Sequence, residues 1–198
     1  MDASGLLLFL KRSSNVVTCP STWSILGEHS ISKEGAHNTV IRGMEEELGL
    51  EQVGRFETNN DSSFTADFQT RNKKDTIHVA IQNITQHPLY YIRYYGPRLD
   101  NRIDSQVTYL WLARLPKPFD EIQINLDDEV ADHKWISLEE FSDWIEDDAR
   151  KYDKEEKEFK NLHNQQGEKD DGPPTGDFCH HTIRSLYAKG LDNLKLLL

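Results

Sequence analysis

Apolar residues fall in short clusters along this chain, and the spacing inside each cluster predicts what it forms. Gly5 to Lys11 and Thr22 to Leu26 read as short strands, divided by a loop around Cys19-Pro20. A helix is predicted next, because Ala36, Val40, Met44 and Leu48 recur every fourth residue and Ile41 widens the stripe. Gly49 is placed to end it in a left-handed conformation. Four more strands are predicted: Gln52 to Thr58, Thr76 to Ile84, Leu89 to Tyr95 and Gln106 to Leu115. The polar piece between the first two of these, with Asn59-Asn60-Asp61 and Asn72-Lys73-Lys74, reads as turns.

Lys134 to Ser137 reads as a last short strand, and Leu138-Glu139-Glu140-Phe141 opens a helix that carries Trp144 and Ile145 inward. Charges of alternating sign from Glu146 to Lys160 predict a solvated helix face. His163 to Asp177, with three glycines and two prolines, reads as a mobile loop, and Phe178, Ile183, Leu186, Tyr187, Leu191 and Leu194 suit a final amphipathic helix. Strands before, between and after helices predict an α/β (α+β) fold. The expected organisation is a main domain over 1–150, a charged helix and Gly/Pro-rich loop over 151–177, and a C-terminal helix over 178–198 packing on that same domain.

Composition narrows the function. At 198 residues the chain can bury a core without cross-links. A net charge of −11 argues against a dedicated nucleic-acid surface, which needs clustered Lys and Arg. A small anion remains accessible if a cation mediates. Cys19 and Cys179 lack metal-finger or C-x-x-C spacing and read as two buried thiols. Leu6 to Leu10 is too short to span a bilayer and Asp2 is unlike a secretory start, so the expectation is an intracellular, cytoplasmic protein without a membrane partner.

Candidate chemistry lies in Arg42-Gly43-Met44-Glu45-Glu46-Glu47-Leu48-Gly49-Leu50. At about 100° per residue, Glu46 and Glu47 flank the direction of position 43 while Glu45 points the other way. Glu45 is therefore expected to face solvent. Two carboxylates flanking one direction, near the loop at Gly27, suit Mg²⁺ or Mn²⁺, hard cations that prefer oxygen ligands.

The stretch G-E-H-S-I-S-K-E-G-A-H-N-T-V-I-R-G-M-E-E-E-L-G-L, Gly27 to Leu50, resembles the Nudix box, whose pattern is G-x5-E-x7-R-E-U-x-E-E-x-G-U with U aliphatic. Glu34, Arg42, Met44, Glu46, Glu47, Gly49 and Leu50 fall in register. Leu6 to Arg12 and Thr22-Trp23-Ser24-Ile25 resemble the approach to the box, and Asp128-Glu129-Val130 with Lys134 to Glu140 resembles the family's late acidic turn, strand and helix start. The resemblance implies a Nudix-like mixed β-sheet between helices and a metal-dependent hydrolase. Its reaction would cleave the pyrophosphate bond of a nucleoside diphosphate linked to another moiety, with Mg²⁺ or Mn²⁺ as cofactor. Carried over, Glu46 and Glu47 are metal ligands, with the backbone at Gly27 or Glu28 and an outside acid, Glu129 or its neighbour Asp128. Arg42 orients a box carboxylate, and Glu34 is the structural acid.

The chain departs from that pattern in three places. The glutamate after the arginine is Gly43, the spacing from Gly27 to Glu34 is one residue longer, and a strand usually found before the first is expected to be missing. Gly43 opens the alternative of a Nudix-fold ligand-binding or regulatory module that has lost efficient turnover. Other residues add less. Tyr90, Tyr91, Tyr94 and Tyr95 read as core and cross-strand packing rather than base stacking. His29 and His37 are lone histidines, His180-His181 point apart on a helix, and no G-x-S-x-G marks a serine hydrolase.

Overall fold

The computed structural model describes residues 1–70, 76–85, 87–94, 103–118, 122, 126, 128–163, 176–179 and 181–197; inside these, the side chains of 91, 93, 94, 104, 152–163, 181 and 182 are not described. The elements are β1 (Leu7–Arg12), β2 (Trp23–Ser24), α1 (Ala36–Leu48), β3 (Leu50–Asn60), β4 (Ser63–Thr70), β5 (Thr76–Asn83), β6 (Leu89–Tyr94), β7 (Ile103–Thr108), β8 (Trp111–Arg114), β9 (Val130–Ile136), α2 (Leu138–His163) and α3 (His181–Lys195). Helices mixed with antiparallel sheets make this an α+β fold. All the strand pairings described are antiparallel, where a mixed sheet was expected.

Two compact units divide the chain: Met1–Ile84 with Trp111–Leu138, and Thr85–Leu110 with Glu139–Leu198. In the first, one sheet runs β2-β1-β9 and another β3-β4-β5-β8. α1 forms where the fourfold spacing places it. Its Ile41, Met44 and Leu48 join Leu10 of β1, Leu50 of β3, Phe64 and Phe68 of β4 and Val79 and Ile81 of β5 in one buried cluster. Gly49 ends the helix at φ 63°, ψ 30°, a left-handed cap that a side chain would strain, and its N–H returns to the carbonyl of Glu45. The chain turns there directly into β3.

β4 replaces part of the expected turn region. Phe64, Ala66 and Phe68 alternate inward, all nearly fully buried, and the turn expected at Asn59-Asn60-Asp61 is the short β3–β4 hairpin. Asn72-Lys73-Lys74 lies outside the described residues. Gln106 to Leu115, read as one strand, is two: β7 pairs with β6 and β8 with β5. At the amino end the Met1 ammonium donates to the Ala113 carbonyl at 2.8 Å and Met1 accepts from Leu115 N–H at 2.9 Å. The buried Asp2 carboxylate accepts the N–H groups of Ser4 and Leu6.

The second unit holds the β6–β7 ribbon with α2 and α3. Phe178 packs on Trp144, ring centroids 4.5 Å apart, and on Tyr187 at 5.4 Å. Ile145 is buried as expected, while Trp144 is half-buried and donates its indole N–H to Asp177. The solvated reading of the α2 face fails at Asp148. This side chain is fully buried, pairs with Arg184 at 3.3 Å and accepts from the backbone of Asp177 and Phe178; burial pushes its pKa up against those bonds. Tyr90 likewise departs from the packed reading, being 75 % exposed. The expected loop from His163 lies largely outside the described residues. Neither cysteine is a free thiol, contrary to the expectation of two buried thiols. No helix among the described residues is long and apolar enough to cross a membrane.

Because β4 runs through the middle of the first unit's core, Phe68→Ala is expected to lower stability by about 3–5 kcal/mol. Urea unfolding followed by tryptophan fluorescence measures it; a loss under about 1 kcal/mol would contradict a central, close-packed β4.

Candidate functional site

The site is assembled from the loop 25–35, which has neither helix nor strand, and the side of α1 beneath it. Arg42 ties the two together. Its Nε donates to Glu34 Oε1 at 3.1 Å and its Nη2 to Glu34 Oε2 at 3.0 Å, a two-pronged fit of planar guanidinium to carboxylate. Nη2 also donates to the His29 carbonyl at 2.7 Å, while Nη1 reaches Glu28 Oε1 at 2.9 Å and Glu46 Oε2 at 3.3 Å. One cation thus engages three carboxylates and a backbone carbonyl.

Glu34 sits just before the helix and is more than a helix-terminal acid. Its Oε2 additionally accepts the Thr39 hydroxyl at 2.9 Å and the Ile31 N–H at 3.1 Å. The Arg42 hydrogen bond, ahead of the Ile31 and Thr39 bonds, holds its pKa down from the ordinary 4.5 to about 2 despite some desolvation. In return Glu34 first, and Glu28 second, push the Arg42 pKa up. Thr39 itself is buried and bonds Ser30 at 2.9 Å, a further stitch from loop to helix.

The three consecutive glutamates have separate environments. Glu46 is exposed and meets only the edge of the Arg42 network. Glu47 is half-buried, and Glu45, expected in solvent, is also half-buried: its Oε1 accepts the Gln52 N–H at 2.9 Å and pins the start of β3 to α1.

A cavity of about 310 Å³ opens beside this network. Four acids line it, Glu28, Glu46, Glu47 and Glu129, together with Gly27 and the cation Arg12. Sequence-predicted Gly27, Glu46, Glu47 and Glu129 therefore border one space, while Arg42 lies behind it and braces Glu28 and Glu46. Glu129 arrives from the segment entering β9, held by the bond from Ser13 N–H to its carbonyl at 2.7 Å. A second cavity of about 560 Å³ lies along 13–18 and Asp128-Glu129 and shares Arg12 and Glu129. His37 is elsewhere, in an aromatic group with Phe56, Phe64 and Trp111.

The oxygen donors lining the smaller cavity are of the class that Mg²⁺ and Mn²⁺ prefer, and Mg²⁺ commonly keeps several waters instead of demanding a complete protein cage. Among the described residues no three His, Cys, Asp or Glu side chains already converge as a metal-holding group. The donor chemistry fits a hard, partly hydrated cation. Sequence reasoning missed the Glu28 side chain, considered only for its backbone, and Arg12, whose place at the end of β1 carries no signal beyond that of an ordinary surface cation.

No family model matches the chain, and no curated protein matches it.

The Glu34 shift gives a testable pH dependence. A carboxyl held below its unfolded pKa stabilises the fold above that value, and the contribution is lost as pH falls through the window from 4.5 to about 2. Glu34→Gln should therefore be less stable than the parent at neutral pH, with the gap narrowing through that acid window. Urea midpoints measured across the range test this; a gap independent of pH would contradict it.

Proposed function

We propose that the protein is a Nudix-type hydrolase that cleaves the pyrophosphate bond of a nucleoside diphosphate linked to another moiety. The observation that carries this reading is that Glu46, Glu47, Glu129 and Gly27 line one cavity, with Arg42 bracing the loop and helix behind it. The Nudix-box register from Glu34 to Leu50 and the packing of α1 against strands of both sheets in the first unit support a Nudix-like sandwich.

In this proposal Glu46, Glu47 and Glu129 supply carboxylate oxygens, and the backbone at Gly27 a carbonyl, to Mg²⁺ or Mn²⁺. When bound, such a cation neutralises phosphate charge and lowers the pKa of an attacking water. Arg42 keeps the loop fastened to α1, so that the donors from the two elements stay at fixed separation. Arg12, common to both cavities, offers positive charge to a phosphate oxygen.

A second reading, a ligand-binding or regulatory module without efficient turnover, is favoured by one specific observation. Position 43, between Arg42 and Met44 on the helix, is a glycine where the pattern has an acid.

Release of phosphate or nucleotide from a panel of nucleoside diphosphate derivatives, with and without Mg²⁺ or Mn²⁺, distinguishes the two. The hydrolase reading expects metal-dependent turnover that falls by about two orders of magnitude in Glu46→Gln and in Glu47→Gln. Ligand binding with no turnover under any metal would replace it by the binding module.

A further inference from the structure

Gly43 is buried in the middle of α1, where glycine costs about 1 kcal/mol relative to alanine. Its surroundings explain why it is tolerated. A Cβ at this position would stand 3.0 Å from Leu26 Cδ2, 3.1 Å from Glu28 Cβ and 3.5 Å from Glu28 Cγ. The space a side chain would use on the helix is already occupied from the loop, by Leu26 and by the stem of Glu28.

Glu28 does more than fill that space. Its side chain is only 17 % exposed, its Oε1 lies 2.9 Å from Arg42 Nη1 and accepts the His29 N–H at 2.8 Å, and it borders the same cavity as Glu46, Glu47 and Glu129. The carboxylate is thus pinned within the site by the cation that also binds Glu34. Counting back from Glu34 by the G-x5-E spacing reaches Glu28, so an acid stands at the glycine position of the pattern and a glycine at its acid position.

We infer that Glu28 and Gly43 are a spatially exchanged pair: the loop residue supplies, over a bare helix backbone, the carboxylate that position 43 would otherwise supply from the helix. The packing half of this inference stands on the contacts alone. The other half, that the Glu28 carboxylate serves the cation, rests on the hydrolase reading. By this account the gap at position 43 is compensated and does not mark a disabled site.

The full chain and the variants Glu28→Gly, Glu28→Gln, Gly43→Glu and Glu28→Gly/Gly43→Glu test both halves. Urea midpoints without metal should fall in Gly43→Glu, because a side chain there must push aside both Leu26 and the stem of Glu28. The double variant should recover part of that loss, because Glu28→Gly removes the Glu28 contacts and leaves the one with Leu26. Equal midpoints for Gly43→Glu and the parent, or a double variant no better than Gly43→Glu, would overturn the exchange. Mn²⁺ binding, read from the free-ion paramagnetic resonance signal, should weaken by about 10- to 100-fold in Glu28→Gln and be regained in the double variant. Unchanged Mn²⁺ affinity in Glu28→Gln would overturn the cation role of Glu28 while leaving the hydrolase reading intact. A parent that binds no Mn²⁺ would overturn both that reading and that role, with the packing half decided by the midpoints.

Discussion

The Arg42 guanidinium is the interaction on which the candidate site depends. The segment 25–35 has no helix or ladder to hold its shape, so its geometry rests on what it can bond to, and four of those bonds end on Arg42. Glu34 meets the guanidinium in a forked pair, Glu28 takes a further N–H, and the His29 carbonyl takes another. A lysine could not reproduce this arrangement, because a point ammonium lacks the planar set of donors. The ion pairs are largely shielded on the loop side, with side-chain exposure of 10 % at Glu34 and 17 % at Glu28, and open to solvent at Glu46. The Glu46 contact is correspondingly the weakest anchor and leaves that carboxylate the most available.

Arg42 can act as an anchor only because α1 is itself fixed. Its apolar stripe shares a cluster with residues of β1, β3, β4 and β5, Gly49 turns the chain into β3 without a linker, and Glu45 bonds the Gln52 N–H across that turn. The opposite sides of one helix therefore serve different ends: one holds the helix against the sheets and the other presents charge to the loop and cavity. This division also explains why three adjacent glutamates behave differently, since a step of about 100° moves each into a new environment.

Much of this arrangement was legible before the structure, where local pattern and tertiary outcome coincide. The fourfold spacing of α1 and its glycine cap required no partner to interpret, and the register of Glu34, Arg42, Glu46 and Glu47 pointed to the elements that border the cavity. β4 was missed because its inward residues, Phe64, Ala66 and Phe68, alternate with Thr65 and Asp67 in a segment rich in polar residues and flanked by turn formers. The division of Gln106 to Leu115 was illegible for a different reason: no glycine or proline interrupts that run, and only the partners of β7 and β8, β6 and β5, separate them. Asp148 and Tyr90 are reversals of the usual expectation, a buried acid made tolerable by Arg184 and two backbone donors, and an exposed ring on a two-stranded ribbon. Glu28 was hidden because its importance comes from what lies across from it, the absent side chain at position 43.

Nuclear magnetic resonance of the Arg42 guanidinium tests the central claim most directly, since the claim is that this group is locked by loop and helix carboxylates together. The account predicts a slowly exchanging Nε–H and separately resolved Nη protons in the free protein, with that restraint lost in Glu34→Gln. A guanidinium that rotates and exchanges freely in the parent, with a spectrum unaltered by Glu34→Gln, would contradict it.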